Sequence, residues 1–521
     1  MVLKRSARTV PGVPVSLITQ LERCGSTSGE PNTGRTRPVI SASGNRPSPH
    51  IVLYRRQPVR HYPEGKISLE DATQCEYREH LDIGQTGRGE QKMATGSPNL
   101  LCNDLEVLDA MHQVSGARSK GQQLEPTRYH PFPARMPLGL AEHLIASMTT
   151  PEAVVLDPMA GSGTTLIAAK RLGREAWGFD LDPLSVLLAR VGTHSFGQAD
   201  LDVLRDRIVD RAKKKVRTGG MGLPTVRRGL PEEDQQFIRY WFPSNSQKQL
   251  FAIASAICEE PNGLQKDLAW VVFSSLIIAK SAGASYAMDI SRSRPHKRKD
   301  KPVVLPFDAW EKRFDAAAKK LPFNDSASTS AKVCIEAGDA RGLPIVDNSV
   351  DFVLTSPPYL SAIDYIRTHK FALLWMGYHL EELRSVRAAM IGTERGLQSL
   401  DGLPQNMEER LTEQIQADRK RSRLRQYLSD LAKSLKEIRR VLKPGGLSVL
   451  VLGPTMINAA RTDAASIVGQ LAERHGLRLV GSAPRTISAQ RRSLPPPSVM
   501  SRSNPMHARM RREILVALRK V

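Results

Sequence analysis

The sequence predicts an α/β fold, a mostly parallel sheet with helices on both faces, and three observations predict it. Short apolar runs recur at residues 154–156, 176–179 and 350–354, each stopping at an acid or a breaker. Runs of that length and ending read as buried parallel strands. Between the first two stands a turn bearing two glycines that opens a helix, Asp157-Pro158-Met159-Ala160-Gly161-Ser162-Gly163-Thr164-Thr165. Stretches of helical period separate the later runs, as β-α-β crossovers require. The layout expected from composition is a disordered basic extension over 1–120 and the start of the α/β domain over 121–198. A largely helical and basic insertion follows over 199–333, with the remainder of the domain over 334–521.

In chain order, residues 1–120 are rich in Ser, Gly, Pro and Arg and show little sustained period, which argues against a packed core. The spacing of Leu105, Leu108 and Met111 nevertheless predicts a short helix over 103–113. Next, Arg128-Tyr129-His130-Pro131-Phe132-Pro133-Ala134 is an extended, proline-fixed strip. It leads into a helix face at Leu140, Leu144, Ile145 and Met148. Such a strip can wall one side of a ligand pocket.

The glycine turn permits a close backbone approach that a side chain would block. Ser162 and Thr164 are expected to cap the helix and leave N–H donors facing a ligand. Residues 176–180 form a second strand ending in Asp180, 17 positions after Gly163. An acid near that distance meets ribose hydroxyls in nucleotide-type units. A phosphate-binding loop needs Gly-Lys-Ser/Thr. Here the turn ends Gly163-Thr164-Thr165, and Asp157 at its entrance repels phosphate. A cationic, phosphate-free nucleoside such as S-adenosylmethionine fits that polarity.

Over 199–333, helical periodicity and the basic run 291–299 replace the α/β pattern, and Trp241, Phe242 and Trp270 are expected in the insertion's own core. The pattern resumes with a strand at 332–335 and an acid-bearing turn, Gly338-Asp339-Ala340. The run 350–354 then stops at Thr355-Ser356-Pro357-Pro358-Tyr359. Prolines cannot continue a central strand. The result is a stiff turn at a strand's carboxyl end, carrying acceptors beside an aromatic ring, which suits a planar amine. A helix over 363–376 offers Tyr365, Phe371 and Trp375 for packing or stacking. Residues 384–426 are expected to be a mobile polar excursion before a helix over 426–442. Lys443-Pro444-Gly445-Gly446 is expected to end that helix. Strands at 447–452, 477–482 and 513–518, with a helix at 464–475, complete the chain.

Net charge is +22, from 75 Lys plus Arg against 53 Asp plus Glu, which points to a polyanionic partner. Five cysteines are scattered without a close pair, giving neither a disulfide framework nor metal-ligand spacing; no metal site is expected. No apolar run spans a bilayer and no secretory signal is visible, so a cytoplasmic location without membrane contact is the expectation.

Together these motifs resemble an S-adenosylmethionine-dependent amino-methyltransferase family acting on DNA, over residues 125–521. The loop from Asp157 to Thr165 is close to that family's Asp-Pro-Phe-x-Gly-Ser-Gly-Thr-Thr, with Met159 replacing Phe. Residues 355–359 match its catalytic Ser-Pro-Pro-Tyr, and the His130–Ala134 strip resembles the segment closing over the methionine end of the cofactor. The resemblance implies a Rossmann-like class I methyltransferase fold with S-adenosylmethionine as cofactor. The residues it implies around the cofactor are His130, Phe132, Asp157, Pro158, Ala160, Gly161, Ser162, Gly163, Thr164, Asp180, Asp339 and Ala340. Those implied for catalysis are Ser356, Pro357, Pro358 and Tyr359. The implied substrate is a base flipped out of double-stranded DNA, with the 199–333 insertion or the 384–426 stretch as the candidate DNA-recognition region, and a cognate restriction nuclease is a further expected partner. Ser356, where adenine enzymes usually carry Asp, favours cytosine N4 over adenine N6. An RNA amino-methyltransferase and a non-catalytic nucleic-acid-binding protein on the same fold stand as alternatives.

Overall fold

A computed structural model describes residues 102–116, 129–133, 135–218, 229–279, 283–288, 290, 295–321, 331–358, 364–392, 409, 418–453, 464–487 and 512–521. Tyr359, residues 291–294 of the basic run and residues 1–101 of the extension lie outside them. The chain opens with α1 (Asp104–Gly116), α2 (Leu138–Met148), β1 (Val154–Asp157), α3 (Thr164–Arg171), β2 (Glu175–Asp180) and α4 (Pro183–Gly192). Helices α5 (Gln198–Arg217), α6 (Glu232–Trp241), α7 (Ser244–Cys258) and α8 (Leu264–Ile277) follow. Then come a two-strand ribbon, β3 (Ala287–Met288) and β4 (His296–Lys297), and α9 (Pro306–Ala318). The remainder is β5 (Val333–Ala337), β6 (Val350–Thr355), α10 (Tyr365–Leu373), α11 (Leu380–Ala389), α12 (Asp418–Val441), β7 (Leu442–Leu452), α13 (Ala464–Glu473), β8 (Leu477–Thr486) and β9 (Arg512–Lys520).

The large sheet runs β5-β2-β1-β6-β7-β9-β8. Its pairs are parallel except those of β9, which is antiparallel to β7 and β8. The chain steps outward from β1 through β2 to β5, then crosses back to β6 and β7. The order therefore reverses between β1 and β6, and ligands of open α/β sheets bind at the carboxyl ends flanking such a switch point. This is a Rossmann-like sheet of the kind the sequence predicts.

Strand alternation sends successive side chains to opposite cores. Val155, Phe352, Leu354, Val449 and Leu515 pack under α1 to α4. Leu156, Val353, Leu450 and Val516 pack under α12 and α13. The third core is helical, and it joins α5 to α9 with Leu188 of α4 and Phe371 of α10. Phe242 and Trp270 are buried there as expected, and Trp241 packs against it, but the insertion shares this core with α4 and α10. Glu260 fastens α5 to α7: its buried carboxylate accepts from Arg207 Nε at 3.0 Å and from Arg211 at 2.7 Å. Removing it as Glu260→Ala leaves two guanidinium groups without their acceptor. The expected loss is about 2 kcal/mol, read as a lower denaturant midpoint.

Three expectations are corrected. The folded part reaches back beyond residue 120: α1 lies against β8, with Leu108 Cδ2 within 2.4 Å of where a Cβ on Gly481 would stand. Arg519 ties α1 to the last strand through Asp104 (2.9 Å) and the Cys102 carbonyl (2.7 Å). Residues 384–389 and 418–426 are helical rather than an excursion. Helix α11 is held from outside its own sequence, by burial of Leu380 and Leu383 and by Asp234, which accepts the Leu380 N–H at 3.0 Å. Finally, α12 stops at Val441 without a glycine turn. Lys443-Pro444-Gly445-Gly446 instead lies within β7 at a register shift against β6, where a side chain on Gly446 would meet the Lys443 carbonyl at 2.9 Å.

Candidate functional site

The glycine turn and the proline turn stand side by side because β1 pairs with β6 in the register Leu156 to Val353. Thr165, at the start of α3, clamps them: its hydroxyl donates to the Leu354 carbonyl at 3.1 Å. Ser356, Pro357 and Pro358 leave β6 at this edge, Pro357 buried and Ser356 half-buried.

Gly163 caps α3 with φ 80°. A Cβ there would lie 2.8 Å from Ala189 Cα and Cβ, so both conformation and space demand glycine. No side chain caps this helix, contrary to the expectation for Ser162 and Thr164, which are both buried. The first N–H groups of α3 therefore have no side-chain cap and face the turn. Ala160 holds the turn to β2 by donating to the Phe179 carbonyl at 2.9 Å. Pro158 precedes it in the same turn.

Asp157 is buried and accepts the Met159 N–H at 3.1 Å. Burial raises its pKa to about 6, against the opposing effect of the Thr355 and Thr165 hydroxyls beside it. Asp180 sits partly buried at the end of β2. Its carboxylate accepts from Gly161 N–H at 2.8 Å and Asp182 N–H at 2.9 Å. Burial raises its pKa to about 7, with the neighbouring Asp182 charge adding to the rise. Asp339 follows β5, where Gly338 N–H reaches the Asp180 carbonyl at 3.1 Å. The Asp339 carboxylate is engaged by Arg341 at 2.6 and 2.9 Å, and Arg341 also reaches Asp430 at 2.7 Å. Ala340 is buried beneath it.

The strip closes the other side. The Phe132 ring lies 3.8 Å from the position of a Cβ on Gly161 and stacks on Tyr365 at 5.2 Å between centroids. His130 is buried, bonds Ser274 of α8 at 2.8 Å and has no partner for Nδ1 among the described residues. Burial and the charge of Arg135 hold its pKa well below the ordinary value, so its ring is neutral.

Three residues here were not assigned a site role from sequence. Tyr365, set down for packing or stacking, lies near Asp180 and Asp182; burial, then their charges, pushes its hydroxyl far up. Asp182 caps α4, accepting from Leu184 N–H at 3.1 Å and the Ser185 hydroxyl at 3.0 Å, and pairs with fully buried His369 of α10. The Asp182-Pro183 pair is a helix-start signature that could have located it. Nothing in the sequence points to His369. Phe371 and Trp375, by contrast, are core residues.

A family model described as a DNA methylase, N6_N4_Mtase, matches residues 68–189. That span takes in the proline-fixed strip, the glycine turn and Asp180. The chain is 27% identical over 264 residues to Type II methyltransferase M.BsoBI of Geobacillus stearothermophilus, covering 46% of this chain and 50% of that one. It is 23% identical over 386 residues to Type II methyltransferase M.MvaI of Kocuria varians, covering 70% of this chain and 84% of that one. Over residues 68–189 the chain is similar to the DNA methylase family, and over longer stretches to Type II methyltransferases. It spans half the length of the M.BsoBI relative. A TehB-like SAM-dependent methyltransferase from Corynebacterium glutamicum aligns at 11% identity, with 73% of this chain and 86% of that one covered and a TM-score of 0.23. The fold assignment rests instead on the strand order.

S-adenosylmethionine is the cofactor that the resemblance of these motifs implies, and the residues present fit it. The uncapped α3 N-terminus and left-handed Gly161 and Gly163 make a backbone cradle, while Asp157 and Asp180 give it a negative rather than a phosphate-binding character.

Proposed function

We propose that the protein transfers a methyl group from S-adenosylmethionine to the exocyclic amine of a base flipped from double-stranded DNA, cytosine N4 in preference to adenine N6. The observation that supports this most is the side-by-side placement of the glycine turn and the Ser356-Pro357-Pro358 turn across the switch point, clamped by Thr165. The methyl donor, when bound, supplies an electrophilic carbon on a sulfonium.

The protein's own residues prepare the amine. The amine is a poor nucleophile because its lone pair is delocalised into the ring. The Ser356 hydroxyl or carbonyl and the Pro357 carbonyl accept the amine hydrogens, which turns the lone pair out of conjugation towards the donor. The two prolines hold these acceptors rigid, so the gain is one of proximity and orientation. Tyr359, which lies outside the described residues, stacks on the base. The α3 N-terminus and the side-chain-free turn at Gly161 position the cofactor, the Gly161 N–H holds Asp180 in place to accept from its ribose, and Asp157 favours its cationic end. Asp339, joined to Arg341 and Asp430, borders the adenine side with Ala340. Phe132 and His130 close the strip over the methionine end.

Tyr359→Ala is expected to keep cofactor affinity and lose about tenfold or more in DNA methylation, since a base–aromatic stack is worth roughly 1–3 kcal/mol. Parallel calorimetry and turnover assays check it; equal loss of cofactor binding contradicts the role.

Labelled cofactor offered with duplex DNA and with tRNA tests the whole reading. Label in DNA is expected. Label in tRNA alone makes it an RNA enzyme, and cofactor binding undetectable by calorimetry makes it a non-catalytic relative.

A further inference from the structure

The carboxyl end of α6 and the β3–β4 ribbon make a surface on the insertion that the catalytic reading does not use. Tyr286 N–H donates to the Trp241 carbonyl at 2.8 Å, and Arg298 N–H to the Tyr286 carbonyl at 3.0 Å, so ribbon and helix end form one unit. Tyr240 presents its ring there at 53% exposure. Lys297 holds its ammonium 4.0 Å from the Tyr240 ring centroid and 5.6 Å from that of Tyr286. Residues 296–301 carry four Lys or Arg and one acid, Asp300. That acid is joined to Arg298, and the acids at the start of α6 are also engaged, Glu232 by Arg239, Glu233 by Arg384 and Asp234 by His379. Among the described residues no carboxylate pairs with Lys297 or Lys299. The surface is an exposed ring with uncompensated positive charge, which fits a nucleic-acid backbone better than an apolar partner.

Its position fits too. Trp241 packs on Phe371 of α10 with 5.1 Å between ring centroids, and Thr368 of the same helix donates to the Ile290 carbonyl at 2.5 Å. Phe371 is six residues along α10 from Tyr365, which walls the cofactor site. At about 1.5 Å per residue that is roughly 9 Å, within the reach of DNA whose flipped base occupies the proline turn.

We propose that Tyr240 and Lys297 bind the DNA strand flanking the target base, Lys297 against a phosphate and Tyr240 against an adjacent sugar or base. This rests on the proposal that DNA is the substrate. The test measures duplex affinity at several salt concentrations, with cofactor affinity measured in parallel as a control for folding. Lys297→Ala is expected to weaken binding and to lower the magnitude of the slope of log affinity against log salt by about 1, the release of one phosphate's counterion. Lys297→Arg is expected to restore the slope. Tyr240→Ala is expected to weaken binding about tenfold with the slope unchanged. Wild-type affinity and slope in both alanine variants would overturn the surface and leave the substrate reading standing. If the wild type itself binds no duplex, substrate reading and surface fall together.

Discussion

Asp180→Asn is expected to weaken S-adenosylmethionine binding by about 10- to 100-fold, the worth of a charge-assisted hydrogen bond of roughly 1.5–3 kcal/mol. The variant keeps an oxygen for the Gly161 N–H now 2.8 Å from Asp180 but loses the acceptor of the Asp182 N–H at 2.9 Å, so a thermal midpoint measured in parallel separates a disturbed turn from a lost ligand contact. The sign of the pH dependence follows from the same residue. Burial raises Asp180 to about 7 and Asp157 to about 6, above the values of an unfolded chain. A raised carboxyl favours folding below its unfolded pKa, and that contribution is lost as pH rises through the folded value. The ligand-free protein is therefore expected to lose stability between about pH 4 and 7 on account of these two groups. Binding has the opposite sign. Ribose hydroxyls donate to a carboxylate and a sulfonium favours one, so cofactor affinity is expected to rise between about pH 5.5 and 8. Asp180→Asn flattens the upper part of that rise. Calorimetry in buffers of different ionisation enthalpy would show proton release on binding near pH 7. Proton uptake would contradict the assignment.

Gly163→Ala is expected to remove both stability and cofactor binding. At φ 80° an L side chain costs about 1–2 kcal/mol, and the added Cβ falls 2.8 Å from Ala189 Cα and Cβ. Neither obstacle is a flexible side-chain end, so α3 and α4 must separate, at a further cost of about 1–3 kcal/mol. A total near 3 kcal/mol would appear as a thermal midpoint several degrees lower. Gly161→Ala is milder: φ is 53°, but a Cβ meets only the Phe132 ring at 3.8 Å. Equal midpoints for wild type and Gly163→Ala would refute the close approach of α3 to α4.

The parts of the fold legible in the sequence are those whose signal is local. Strands β1, β2 and β6 are short, mostly apolar runs, and the turn between β1 and α3 announces itself by its glycines. The backbone half of the candidate site was therefore legible as a turn, since Asp157, Gly161, Gly163 and Asp180 all lie within one β-α-β unit. What was not readable depends on partners distant in sequence. Helix α11 is polar in composition and is held by Asp234, 146 residues before Leu380. The Asp182–His369 pair spans 187 residues. Arg341 joins Asp339 to Asp430, 89 residues apart from it, and also reaches the Ala389 carbonyl. Proline and glycine at 444–446 read as a helix stop, whereas a bulge in β7 uses the same residues where a Cβ on Gly446 would stand 3.1 Å from the Asp351 carbonyl.

The most direct measurement is mass spectrometry of nucleosides from duplex DNA treated with the purified protein and S-adenosylmethionine. N4-methylcytosine is the expected product, with Ser356 and Pro357 accepting the amine hydrogens. N6-methyladenine alone would keep the amine chemistry and overturn the preference read from Ser356. DNA carrying neither methylated amine, with the cofactor demonstrably bound, would contradict amine methylation at the proline turn.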